Sequence, residues 1–182
     1  MMEIGKVCSV SRSSEHGFSK GVCASIELIE GVGVVGDAHA GATVKHRSRV
    51  AIDPTQPNLR QVHFIASELL DELKDKGFSL SPGDLGENIL TEGIQLLDLP
   101  KDTLLKIGSE AVVRVTGLRN PCKQIENFRS GLLAAVLDKD ENGGVVRKAG
   151  VMGTVEVGGM VALEDPIQIE YPSQPHVPLD RV

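Results

Sequence analysis

The chain has 182 residues, 41% of them hydrophobic and 24% charged, with a formal net charge of -6. That length predicts one domain able to bury roughly 70% of the surface its unfolded chain would expose, and the composition excludes a disordered polymer. The negative charge and an aromatic content of 3% argue against a nucleic-acid binder, which needs clustered cations and stacking rings, and no apolar run reaches membrane-spanning length.

Ile4–Val10 predicts a first strand, ended by the polar cluster Ser11–Ser14 and then by His16-Gly17. Val22–Ile29 predicts a second. Gly31, Gly33 and Gly36 have the spacing of a dinucleotide-binding loop, but that loop opens a helix, and nothing from Asp37 to Pro57 shows helical periodicity. The Rossmann reading is therefore rejected. Asp37 and His39 share one face if the segment is extended and then suit metal ligation or acid/base work. The competing reading is a tight turn whose aspartate bonds its own backbone. Lys45, His46, Arg47 and Arg49 form the one dense basic run, read as a solvated or anion-binding loop.

Gln61–Ile65 has strand character, and Ser67 then reads as the N-cap of a helix with an apolar face of Leu69, Leu70 and Leu73 and a stop at Gly77. Gly83, Gly86 and Gly93 punctuate short apolar pieces. Backbone amides brought together in such turns hold phosphate or cofactor oxygens, which makes Gly86, Glu87 and Asn88 candidates; alternatively Glu87 and Asn88 only finish a turn. Ala111–Val115 is a strand, and Leu132, Leu133, Val136 and Leu137 give a helical stripe. After a turn at Glu141–Gly144, strands Ala149–Val157 and Met160–Leu163 are expected to form a hairpin through Gly158-Gly159. Ile167–Tyr171 is the last strand. Residues 1–171 then form one domain, and 172–182 an extended Pro-rich tail, mobile at its end. Many short strands with few helices predict a mainly β, antiparallel, barrel-like fold with two or three peripheral helices.

The chemistry concentrates at Cys122. The alternation of Val113 and Val115 with Arg114 and Thr116 is broken by Gly117 and Pro121, and the cysteine follows between Arg119 and Lys123. Two nearby cations favour the thiolate, which attacks electrophiles or binds soft metals. The plainer reading is a small buried hydrophobe. Cys8 and Cys23 do not sit beside a cation-rich turn and read as structural. Three widely separated cysteines with no CxxC spacing indicate neither a disulfide framework nor zinc. No basic segment followed by an apolar core marks the start, so the expected compartment is the reducing cytoplasm.

Four ordered motifs carry a resemblance: VVGDAHAG, GDLGENILTEGI, VTGLRNPCKQI and RKAGVMGTVEVGG. Together they resemble the MOSC domain family, named for the C-terminal part of molybdenum cofactor sulfurases, over about Gly5 to Ile169. The resemblance implies a β-barrel that binds molybdenum cofactor (molybdopterin), with Cys122 as metal ligand or sulfur-bearing residue. It further implies that Arg119, Asn120 and Lys123 hold anionic groups, with Arg47 and Arg49 as candidates for the phosphate. Asp37, His39, Gly86, Glu87 and Asn88 would lie near the pocket.

Two mechanisms follow from the resemblance. Cys122 receives sulfur as a persulfide from a cysteine desulfurase, itself the holder of pyridoxal phosphate, and passes it to a metal-sulfur cofactor. Alternatively, Cys122 ligates molybdenum and the protein reduces N-hydroxylated compounds, drawing electrons from a separate redox partner protein. A carrier module without catalysis, and a cysteine hydrolase pairing Cys122 with His39 or His63, are the other readings.

Overall fold

A computed structural model describes residues 4–43, 45 and 47–182, residues 47–49 by backbone alone. In chain order the first half contains β1 (Ile4–Arg12), β2 (Gly21–Cys23), β3 (Ser25–Ile29), β4 (Gly33–Val34), α1 (Arg47–Ile52), β5 (Val62–Ala66), α2 (Ser67–Asp75) and β6 (Ile89–Glu92). The second contains β7 (Leu104–Ile107), β8 (Ala111–Leu118), α3 (Lys123–Phe128), α4 (Leu132–Ala135), β9 (Leu137–Lys139), β10 (Val145–Arg147), β11 (Val151–Val157), β12 (Gly159–Ala162) and β13 (Pro166–Glu170).

Seven strands close a barrel in the order β13-β7-β8-β11-β5-β6-β1, and β1 pairs back onto β13. Closure removes the sheet edges that would otherwise invite another chain to pair. Neighbours in the ring are antiparallel except β5 and β6. The smaller sheet β12-β3-β4 and the hairpin β9-β10 lie outside the ring.

Strand patterning explains the layers. In β8, Ala111, Val113 and Val115 are buried in the barrel while Val112 and Arg114 are half-buried outside it. β5 is buried on both faces: Val62 and Phe64 fill the barrel, while His63 and Ile65 lie on its outer face. Outside, Ile65 meets Leu69 and Leu73 of α2 and Ile125 and Leu132 of α3 and α4. Full burial of each such side chain is worth roughly 1.5–3 kcal/mol. The mainly β barrel expected from the sequence is therefore the fold, with four helices among the described residues. Among those residues, no helix is long and apolar enough to cross a membrane.

Several local expectations are corrected. The run Val22–Ile29 is two strands in different sheets, β2 on β1 and β3 with β12. A short helix, α1, occupies the region that lacked helical periodicity. Ser67 is the first helical residue, and Ala66 is the cap, with no side-chain cap bond. The stripe Leu132, Leu133, Val136 and Leu137 is not one helix: α4 holds Leu132 and Leu133 and ends at Ala135, and Leu137 begins β9. Gly158-Gly159 is not a hairpin turn: β11 pairs with β8 and β5, while β12 pairs with β3. Two-residue turn chemistry cannot distinguish a hairpin from a strand that changes sheets. The Pro-rich segment 172–182 is not loose at its end, since Val182 donates to the Leu118 carbonyl at 3.2 Å.

Candidate functional site

β8 ends at Leu118, and Pro121 stops any continuation of the strand. Cys122 follows in extended geometry as the residue before α3, exposed to solvent. Its carbonyl accepts from Ile125 N–H at 3.0 Å, which starts the helix, and Gln124 Oε1 lies 3.9 Å from its sulfur. The buried-hydrophobe reading of Cys122 thus fails.

The cysteine stands on a cavity of about 470 Å³. Its lining brings together residues from every motif: Arg119, Asn120 and Lys123 beside the cysteine, His39 from the glycine-rich loop, and Gly86 and Asn88 from the 83–88 turn. Lys20, Phe18, Arg60 and His63 complete much of the wall. Among the described residues, the lining side chains include four cations, Lys20, Arg60, Arg119 and Lys123, and no aspartate or glutamate.

Asp37 lies behind this wall. Its Oδ1 accepts from Ser13 N–H at 3.1 Å and from the Asn88 amide at 3.4 Å; its Oδ2 accepts from Lys20 Nζ and His39 N–H, each at 3.1 Å. His39 Nδ1 is a further 3.6 Å neighbour. Burial alone would raise the Asp37 pKa, but the contact with His39, the Lys20 charge and the Ser13 amide outweigh it and hold the carboxyl well below its usual range. Burial lowers the Lys20 pKa, opposed by Asp37. Asp37 is thus occupied as the anchor of Lys20 and of the His39 loop. Asn58 secures the same loop, donating to the carbonyls of His39 and Gly41 at 2.8 and 2.9 Å.

Asn88 is likewise a fastener. It accepts from His63 N–H at 3.0 Å and donates to the Ser11 carbonyl at 3.1 Å, joining β5 to β1. Glu87 turns into its own loop, where Oε2 accepts from Gly83 N–H at 2.8 Å and Oε1 is buried with no partner among the described residues. Burial raises the Glu87 pKa against that amide bond. The loop needs glycine: a Cβ on Gly83 would stand 2.2 Å from the Lys20 carbonyl, and one on Gly86 2.5 Å from that of Phe18.

The Arg119 guanidinium lies 5.4 Å from the centre of the Phe18 ring and donates to the Leu85 carbonyl. Burial lowers its pKa, and the neighbouring Cys122 and Glu87 oppose that shift. His63 is buried, and its Nε2 lies 2.8 Å from the Ala149 carbonyl. A carbonyl only accepts, so that nitrogen carries the proton. Burial and then the Arg119 charge depress its pKa well below the ordinary value, leaving a neutral ring. The ring's lone pair is then on Nδ1, and His63 and Cys122 line the same cavity. Arg47 and Arg49 side chains, like His46, lie outside the described residues.

The sequence did not single out Lys20, Phe18 or Arg60. Lys20 follows a turn-rich stretch with nothing to mark it as buried, and only its docking against the 83–88 turn, through a 2.8 Å bond from its N–H to the Gly83 carbonyl, places it in the wall.

These features define a closed β-barrel with a cation-lined cavity and a cysteine at its surface. The chain belongs to the MOSC domain family, whose model matches residues 39–168. Its fold is similar to the YUAD protein from Bacillus subtilis at a TM-score of 0.77 and 21% identity, covering 95% of this chain and all of that one. It is also similar to YiiM from Geobacillus stearothermophilus (TM-score 0.64, 16% identity, 94% of this chain and 77% of that one) and to YiiM from Escherichia coli (0.60, 16%, 94% and 73%). No curated protein matches the chain.

Proposed function

We propose that this MOSC protein binds molybdenum cofactor in the cavity, with Cys122 as the protein's ligand to the metal, and acts in sulfur transfer to a metal-sulfur cofactor or as its carrier. One observation carries the reading: an exposed cysteine on a 470 Å³ cavity whose lining, among the described residues, has four cations, one of them (Lys20) paired with Asp37 behind the wall, and no carboxylate, in a chain of net charge -6. That local reversal of sign suits a polyanionic ligand.

The residues present fit such a group. One thiolate does not hold a bare metal ion tightly, and among the described residues no three His, Cys, Asp or Glu side chains gather as a metal site. A metal that brings its own sulfur ligands needs only one more. When bound, the cofactor supplies a soft redox-active centre on an anionic pterin. Cys122 would meet the metal, Lys20, Arg119 and Lys123 the anionic groups, and the bare backbone at Gly86 permits close approach.

For sulfur transfer, the Cys122 thiolate attacks the outer sulfur of a persulfide on a desulfurase partner. The donor's S–S bond breaks, the donor cysteine leaves as a thiolate, and a Cys122 persulfide forms with no net change in electrons. The solvent exposure of Cys122 permits that encounter.

The test is molybdenum and pterin content per chain, on protein purified without oxygen from a host that makes the cofactor, with Cys122→Ala as control. Near-stoichiometric molybdenum lost in the variant supports ligation and directs the search to reduction of N-hydroxylated compounds with a separate electron donor. Molybdenum in neither protein rejects ligation and leaves persulfide formation on Cys122, read as the added mass of one sulfur after incubation with a desulfurase and cysteine.

A further inference from the structure

We propose that residues 177–182 form a strap that shapes the cavity, positioning Arg60 in its wall and the root of the segment that presents Arg119 and Cys122. This holds for any ligand the cavity takes.

The strap is attached along its length. Lys101 N–H donates to the Val177 carbonyl at 2.8 Å, and Leu179 packs against the barrel core. Leu118 N–H donates to the Asp180 carbonyl at 2.8 Å, and Val182 N–H donates back to the Leu118 carbonyl at 3.2 Å, so that Arg181 sits opposite Leu118 in a parallel bridge. Leu118 is the last residue of β8, and Arg119 in the cavity wall is its neighbour. The second attachment is Arg60, which lines the same cavity and whose guanidinium donates to the Val182 carbonyl.

Gly117 shows that the barrel is built to receive this segment. A Cβ there would stand 2.4 Å from the Asp180 carbonyl and 2.5 Å from a methyl of Val182. Backbone oxygen cannot yield as a side chain can, so even alanine at 117 requires the strap to lift. One strap therefore reaches two walls of the cavity: Arg60 directly, and the Arg119–Cys122 segment through Leu118.

The experiment uses full-length Gly117→Ala and Arg60→Gln and reads Cys122 by peptide mass spectrometry. Each protein is treated with neutral iodoacetamide and, separately, with the dianionic aryl disulfide DTNB. The ratio of the two rates reports the cationic wall and cancels general changes in thiol exposure. Arg60→Gln should lower the preference for DTNB about threefold or more and leave the Leu118 amide protected from hydrogen exchange. Gly117→Ala should lower the same ratio and also speed Leu118 exchange about tenfold or more. If Gly117→Ala does not fold, Leu179→Ser releases the strap from its core contact and is read in the same way. An unchanged reagent ratio in the strap-lifting variant, with Leu118 exposed, would overturn the proposal. Neither readout involves molybdenum, so the result stands apart from the cofactor assignment.

Discussion

Lys20 Nζ lies 3.1 Å from Asp37 Oδ2, with the two side chains 4% and 0% exposed. The pair ties β2's approach to the glycine-rich loop behind the cavity wall. Removing one member leaves the other charge buried without its partner, which costs about 3–5 kcal/mol. Asp37→Ala should lose about that much in urea denaturation at neutral pH, and Lys20→Met combined with Asp37→Leu should recover part of it.

The same aspartate sets an acid limit. Its folded pKa is held below the ordinary 3.8, so its contribution is full above that value and is lost as pH falls through the depressed one. Wild-type stability should therefore fall more steeply below pH 3.8 than that of Asp37→Ala. Parallel curves would contradict the assignment.

Glu87 has the opposite sign. Its pKa is raised from 4.5, so its contribution is full below 4.5 and lost as pH rises through the folded value. Glu87→Gln keeps an acceptor for Gly83 N–H and removes the ionisation. Its melting temperature should gain on wild type between pH 4.5 and 7, and a constant offset would count against the buried charge.

Gly86 has φ +84°, and an added Cβ would meet the Phe18 carbonyl at 2.5 Å. Gly86→Ala should cost at least ~1–2 kcal/mol from the left-handed backbone alone, measured by urea denaturation. Because Phe18 carries Arg119 on its ring, the variant should also lower the rate of Cys122 with anionic thiol reagents.

Cys122 and Cys8 should separate kinetically. Cys122 is exposed, whereas Cys8 is half-buried and burial pushes its thiol pKa up. Iodoacetamide should label Cys122 first and Cys8 more slowly, resolved by peptide mass spectrometry. Equal rates would show that the 119–122 segment is less accessible than its geometry implies.

Much of the architecture was legible because it depends on local pattern. The alternation of Val113 and Val115 with Arg114 needs no partner to be read as a strand, and Pro121 marks where it must stop before Cys122, whereas Gly117, read as a break, lies within β8 paired with Met152. The roles within the motifs were not legible. Asp37 and Asn88 stand in the same motifs as His39 and Gly86, yet they are consumed as internal fasteners. Nothing in a motif tells a ligand from the residue that holds the ligand's loop.

By itself, the sequence determined the barrel class, the family and the place of Cys122 between Arg119 and Lys123, because periodicity, turn residues and ordered motifs are properties of short stretches; that Cys122 is exposed was decided by the fold. Only the tertiary structure decided that Gly158-Gly159 carries the chain between sheets, that Lys20, Arg60 and Phe18 belong to the cavity, and that residues 177–182 reach it. Each of these depends on which distant backbones meet. Lys20 becomes buried because the 83–88 turn packs on it, and Gly117 must be glycine because Asp180, 63 positions later, returns to lie against it.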